Sequence, residues 1–208
     1  RGPLEVVVVS MPRQSKLMSL PNDVLYHISD FLWHPVLGHV CQRTWELLQW
    51  HHFACTVQPD TLPKTISTVS KHKWTLRSIT LLGPSHSLPD VLSSAPFLHT
   101  LTLSLKSMES PLDVWGTNRD WLRGLADLKY CPQLRTLTLD LGSNGIGPEG
   151  AEQLAELRES QTLQDLTLDV RFNDIQAKGA TALATLSATR NLCTLHLGLG
   201  GNCLGADG

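Results

Sequence analysis

Aromatic residues are scarce in this 208-residue chain, at 6%, whereas thirty-eight positions are leucine. That imbalance excludes a core wedged together by large rings and indicates a repetitive aliphatic one. No run of eighteen apolar residues occurs, which excludes a transmembrane helix. Val6-Val7-Val8-Val9 is too short for the apolar centre of a signal peptide. Charge of either sign is nearly balanced, 17 Lys and Arg against 19 Asp and Glu, for a formal net charge of −2. No overall basic field draws such a chain to nucleic acid or anionic lipid, and neither is expected as a partner. The charge is uneven along the chain, with eight basic and six acidic residues in 1–100 and nine and thirteen in 101–208. The five cysteines (Cys41, Cys55, Cys131, Cys193 and Cys203) are odd in number and lack framework spacing. They read as reduced thiols of a cytoplasmic or nuclear protein.

What the chain does have is self-similarity. Three segments align without a gap, beginning at Leu134, Leu163 and Leu192, twenty-nine residues apart. The first reads Leu134-Arg-Thr-Leu137-Thr-Leu139-Asp-Leu141-Gly-Ser-Asn144. Leu137, Leu139 and Leu141 alternate with polar residues, the signature of a half-buried strand. Leu154 and Leu157 then follow with helical spacing, and Pro148 and Glu149 suit the helix's first turn. One unit cannot bury its own leucines; stacked units build a continuous core beneath a parallel sheet. Asn144, Asn173 and Asn202 recur at the bend after each strand, where a side-chain amide can satisfy backbone groups that the ladder misses.

The Asn-x-Ile-Gly-x-x-Gly-Ala-x-x-Leu-Ala-x-Leu run from Asn144 to Leu157 resembles the leucine-rich repeats of the ribonuclease-inhibitor-like class. The resemblance implies an α/β fold, a right-handed solenoid with a curved parallel sheet and helices on the convex side. An extra Leu-x pair departs from the family pattern and is expected to widen the strands. Weaker units begin at Leu98 and Leu76, giving five expected strands across 76–208, with an insertion around Met108–Asn118. The fifth unit stops half way at Gly208, so further repeats are expected after it.

Upstream, Val24, Leu25, Ile28, Phe31 and Leu32 form one apolar helical stripe behind Ser19 and Pro21. A second helix is expected through Val40, Cys41, Trp45 and Leu48. The run Leu20-Pro21-x-Asp23-Val24-Leu25-x-x-Ile28-x-x-Phe31-Leu32, followed by Val40-Cys41-x-Arg43-x-Trp45, resembles an F-box. The spacing between the two parts is about three residues shorter than usual, which rotates the second helix. By that resemblance Leu20, Pro21, Val24, Leu25, Ile28, Leu32, Val40, Cys41 and Trp45 form or support a docking surface for a Skp-family adaptor within a cullin–RING ubiquitin ligase. The expected organisation is a tail over 1–16, a helical module over 17–57, a linker or first-repeat cap over 58–75, and repeats over 76–208.

No catalytic or cofactor chemistry emerges. His34, His39, Cys41, His51, His52 and Cys55 include ligand-type residues, but their spacing matches no zinc pattern. Gly142–Gly147 lacks the lysine of a phosphate loop. No metal, cofactor or enzymatic activity is expected. The expected site is the concave face of the sheet, carrying Ser104, Lys106, Thr138, Asp140, Thr167, Asp169, Arg171 and His196, and suited to an unidentified protein target. Asp140 and Asp169 should be neighbours there and should invite a partner's cation. Two functions follow: a substrate receptor of a ubiquitin ligase, or a scaffold subunit whose N-terminal helices cap the solenoid.

Overall fold

The computed structural model describes residues 20–32, 51–58, 60–83, 92–105 and 120–205. The chain divides into two compact units, Arg1–Gln49 and Trp50–Gly208. The first unit contributes helix α1 (Asn22–Leu32). Its expected amphipathic stripe is visible in the burial: Leu25 is fully buried, Val24 and Ile28 are half-buried, and Asn22, Asp23 and His27 are exposed. The second expected helix, with Val40, Cys41 and Trp45, lies outside the described residues.

The second unit carries a six-stranded, all-parallel sheet in sequence order: β1 (His52–Thr56), β2 (Ser78–Leu82), β3 (Thr100–Ser104), β4 (Thr136–Asp140), β5 (Asp165–Asp169) and β6 (Thr194–Gly198). Helices α2 (Leu62–His72), α3 (Asp120–Ala126), α4 (Gly147–Ala155) and α5 (Gln176–Ala184) alternate with the strands. Short 3-10 turns follow α3, α4 and α5 at Asp127–Tyr130, Glu156–Glu159 and Thr185–Ala188. Neighbouring strands are always consecutive, and among the described residues a helix stands between them everywhere but between β2 and β3, the architecture expected of a leucine-rich-repeat solenoid.

The alternation in sequence becomes a two-sided sheet. Leu101, Leu103, Leu137, Leu139, Leu166 and Leu168 are fully buried and meet Leu154, Leu157, Leu183 and Leu186 from the helical side. Their polar neighbours stay half-buried on the open side. The register keeps every leucine opposite its repeat equivalent, with Leu137 beside Leu166 and Leu166 beside Leu195. Helices α4 and α5 pack where Gly179 faces Ala151; a Cβ on Gly179 would sit 2.9 Å from the Ala151 Cβ.

The strands differ from expectation in number and in length. Among the described residues the sheet has six strands, not five: β1 precedes Leu76 and pairs with β2, His52 opposite Ser78 and Thr56 opposite Leu82. Its core-side positions are Phe53 and Cys55, so a search for leucine spacing passes over it. Within 58–75, the expected linker or first-repeat cap, residues 62–72 form helix α2, which buries Val69 and is compatible with a cap. The extra Leu-x pair does not lengthen the strands, which are five residues each. Leu141 lies just past β4, although its N–H still donates to the Asp169 carbonyl at 2.8 Å.

Beyond the strands, the ladder continues through an unusual turn. Ser143, Phe172 and Gly201, one position per repeat, all have positive φ; so do Gly145, Asp174 and Cys203, and then Gly147, Gln176 and Gly205. Left-handed residues let N–H groups of the turn reach across: Ser143 donates to Arg171, Gly147 to Asn173, Phe172 to Gly200 and Gln176 to Asn202. Glycine is the residue such backbone favours. Phe172 is therefore a strained choice, and its ring lies against Gly201, where a Cβ would come within 2.4 Å of it.

The helical side carries ion pairs between neighbouring repeats, Lys178 with Glu152 at 3.1 Å and a tighter cluster around Lys129. The Lys129 ammonium donates to Glu156 at 2.8 Å and to Glu159 at 2.7 Å, with only 7% of its side chain exposed. This pairing holds the Lys129 pKa well above its usual range. It holds the Glu159 carboxyl below the ordinary 4.5. A carboxyl lowered in the folded state contributes stability that is present above about pH 4.5 and lost as pH falls through the lowered value. Replacing Lys129 with Met is expected to remove that part of the acid sensitivity while lowering the melting temperature at neutral pH. Melting temperatures of both proteins between pH 3 and pH 7, roughly the range over which carboxylates titrate, test this; parallel curves would contradict it.

Candidate protein-binding face

Parallel register sorts the open side of the sheet into three rows. The first runs His52, Ser78, Thr100, Thr136, Asp165, Thr194. The second runs Ala54, Thr80, Thr102, Thr138, Thr167, His196. The third runs Thr56, Leu82, Ser104, Asp140, Asp169, Gly198. Six of the eight residues expected on this face follow the pattern: Ser104, Thr138, Asp140, Thr167, Asp169 and His196. Arg171 lies two residues past β5, and Lys106 is outside the described residues. Four consecutive threonines in the second row present a hydroxyl from each strand, and such groups both donate and accept hydrogen bonds.

The third row holds two of the face's three carboxylates, Asp165 of the first row being the other. Asp140 and Asp169 are direct neighbours in the register, as expected. The expectation that their carboxylates invite a cation from a partner needs correction for Asp169, because the chain supplies its own. Arg171 Nη2 reaches Asp169 Oδ2 at 2.5 Å, its Nε lies 2.9 Å from each carboxylate oxygen, and its backbone N–H donates to Oδ1 at 3.1 Å. The paired carboxylate raises the Arg171 pKa further. Asp140 accepts a hydrogen bond from the Ser104 hydroxyl at 3.2 Å. The two carboxylates thus differ: Asp169 is paired with a guanidinium that is half exposed, whereas Asp140 accepts from the uncharged Ser104 hydroxyl. A partner meets a mixed-sign edge here instead of a bare acidic pair.

Sequence reasoning missed the contribution of β1 and β2 to this face, notably Thr56 and Leu82. Leu82 is 45% exposed where later repeats carry Ser104, Asp140 and Asp169. The alternation in His52–Thr56 was the available signal.

The asparagines serve the frame. Asn173 Oδ1 accepts from the backbone N–H of Asn144 at 2.7 Å and of Ile146 at 3.2 Å, one repeat back. Its Nδ2 donates to the Leu141 carbonyl at 2.9 Å and the Arg171 carbonyl at 3.1 Å. Asn202 repeats the arrangement one unit later, accepting from Asn173 and Ile175 and donating to Val170.

Of the thiols, Cys131 is buried, donates towards the Leu92 carbonyl and is pushed up to about 12 by burial, so it stays protonated. Burial also raises the Cys55 thiol. Among the described residues no group of three or more His, Cys, Asp or Glu is placed to hold a metal ion. His34, His39 and Cys41 of the sequence cluster lie outside those residues. No helix among the described residues is long and apolar enough to cross a membrane.

The expected adaptor-docking residues divide. On α1 and just before it, Leu20, Val24 and Ile28 are half-buried, Pro21 is exposed and Leu25 is fully buried. Leu32 ends the helix. Val40, Cys41 and Trp45 lie outside the described residues.

Residues 133–155 and 161–184 match the family model described as Leucine Rich repeat. They span the two best-formed units, from the turn before β4 through α5. No curated protein matches the chain.

Proposed function

We propose that this chain is the substrate-recognition subunit of a Skp–cullin–F-box-type ubiquitin ligase, with the N-terminal module docking a Skp-family adaptor and the open face of the sheet holding the target. Leucine-rich repeats over 133–184 point to a protein-binding role. The observation that carries the target-binding half is the three-row polar face, which supplies hydroxyls, two differently balanced carboxylates and an exposed Leu82 on a rigid sheet. Rigid frames lower the ordering cost of binding. The adaptor half rests on the F-box-like run of residues and on the apolar stripe of α1.

The test is co-purification of the full chain with a Skp-family adaptor, using the wild type and a Leu20→Asp/Ile28→Asp variant. The proposal expects stable recovery with the wild type and loss with the variant. Equal recovery, or none with either protein, contradicts the adaptor half. For the target half, Thr138→Tyr/Thr167→Tyr fills the second row without altering charge or strand propensity. It is expected to lose the target captured by the wild type while melting at nearly the same temperature.

One observation favours a second reading. Leu25 is fully buried, which suits packing within the N-terminal unit more than docking. In that reading the protein is a scaffold subunit, with the N-terminal helices proposed as a solenoid cap. Deleting residues 12–49, which leaves β1 intact, separates the two: a scaffold loses cooperative melting, whereas a ligase receptor loses only its adaptor.

A further inference from the structure

The turns that lead into the strands differ in charge from the turns that leave them. Lys73, Arg77, Arg135 and Arg190 stand in or beside the entering turns of β2, β4 and β6, and His99 in that of β3. Their carboxylates are few: Glu159, already bound by Lys129, and Asp165, on the first residue of β5 and on the open face. The leaving ends carry Asp140, Asp169 and Asp174, with Arg171 paired to Asp169. The sheet is thus polarised, basic at its entering rim and acidic at its leaving rim.

Two exposed aromatic residues lie on the same basic rim. Trp74 is 63% exposed, with the Lys73 ammonium 5.6 Å from its ring centre. Phe97 is 42% exposed, with the Arg77 guanidinium 5.0 Å from its ring centre. The two turns are tied together, since Lys73 Nζ donates to Ser94 Oγ at 3.3 Å. Further along, the entering turns of β4, β5 and β6 enclose an open groove of about 570 Å³. Arg135 and Arg190 line it together with Gln133, Gln161, Gln164 and Asn191, and no carboxylate does. Neither arginine forms an ion pair among the described residues, and both are exposed.

We propose that this rim is a docking groove for an extended acidic segment of a protein partner, with Trp74 and Phe97 gripping an apolar residue at one end and Arg135 and Arg190 taking carboxylates at the other. From β2 to β6 the rim covers four strand spacings of about 4.8 Å, the length of roughly six extended residues. Its side-chain amides both donate and accept, as a peptide bond does, whereas a phosphodiester only accepts. Its cations come singly, separated by these amides, instead of in the continuous stripe that tracks a nucleic-acid backbone. Arginine presents a planar fork that matches a carboxylate. The rim is distinct from the three rows of the open face and does not depend on that face being occupied.

The probe is a fluorescein-labelled hexaglutamate peptide, titrated against the 208-residue chain at low ionic strength, with hexalysine and a single-stranded octathymidylate as comparisons. Saturable hexaglutamate binding is expected, weakened about tenfold or more by Arg135→Glu/Arg190→Glu. Both positions are exposed, so the variant should melt as the wild type does, and the Thr138→Tyr/Thr167→Tyr protein should bind the peptide normally. That last result separates the rim from the face. Absence of saturable binding, binding unchanged by the double charge reversal, equal binding of hexalysine, or tighter binding of octathymidylate would each overturn the proposal.

Discussion

Asn173→Ala is expected to lower the unfolding free energy by about 4 kcal/mol, far more than its small change in volume implies. The amide is 1% exposed and works for three successive repeats. Removing it orphans the N–H groups of Asn144 and Ile146, 2.7 and 3.2 Å from the lost oxygen, and takes one donor from the Leu141 carbonyl. Each buried backbone group left without a partner costs roughly 1–3 kcal/mol. Packing rules out water as a ready substitute, since Leu141, Ile146 and Ile175 around it are buried. Asn173→Asp should recover little, because a carboxylate keeps the acceptor but faces the Leu141 carbonyl with a negative oxygen. Asn144→Ala should cost less, because Asn144 is only half-buried and serves chiefly as a donor, to the carbonyls of Leu105, Leu141 and Gly142. Urea unfolding of the three variants, with the slope of the transition checked for constancy, measures the ordering. Equal losses at 144 and 173 would contradict the stitching role.

The second large effect contrasts two leucines that the sequence treats as identical. Leu166 and Leu195 occupy the same position of consecutive repeats and face each other in the register. Leu166 lies between two neighbouring strands and is fully buried, whereas Leu195 lies on β6, flanked only on the β5 side among the described residues, and is half-buried. Truncating a buried leucine to alanine removes its transfer free energy and leaves a cavity that close-packed neighbours cannot fill. Leu166→Ala is expected to cost about 3–4 kcal/mol, and Leu195→Ala about half as much or less. Equal costs from calorimetry or denaturant titration would mean that stability does not follow the stacking of repeats.

The contrast shows what could and could not be read from residue order. The twenty-nine-residue period, the alternation in Thr136–Asp140 and the recurring Asn fix the strand positions, the face each residue takes and the helix that follows, because these depend on local pattern alone. Strand β1 escaped because Phe53 and Cys55 fill its core positions, and packing tolerates apolar groups other than leucine. Helix α2 escaped because Thr, Ser and Lys dominate Leu62–His72 and it buries only Val69 fully. The positive φ at Phe172, Asp174 and Gln176 was hidden for a different reason: glycine marks each of those positions in only some of the repeats, and the cross-repeat hydrogen bonds hold the other residue types in place. On the face, the neighbours Asp140 and Asp169 followed from register. That Arg171 turns back onto Asp169 did not, because an exposed side chain's rotamer is not set by spacing.

The most direct measurement of the central claim, that equivalent units stack interchangeably, is removal of one whole unit. Deleting residues 147–175 joins Ile146 to Gln176 in the same repeat position, places β4 beside β6 and sets the Asn144 N–H against Asn202. The account predicts a shortened protein that keeps native-like circular dichroism and melts in a single cooperative transition, whereas a deletion shorter by two residues, 147–173, does not fold. If both deletions unfold alike, or both melt alike, the units are not interchangeable and the account is wrong.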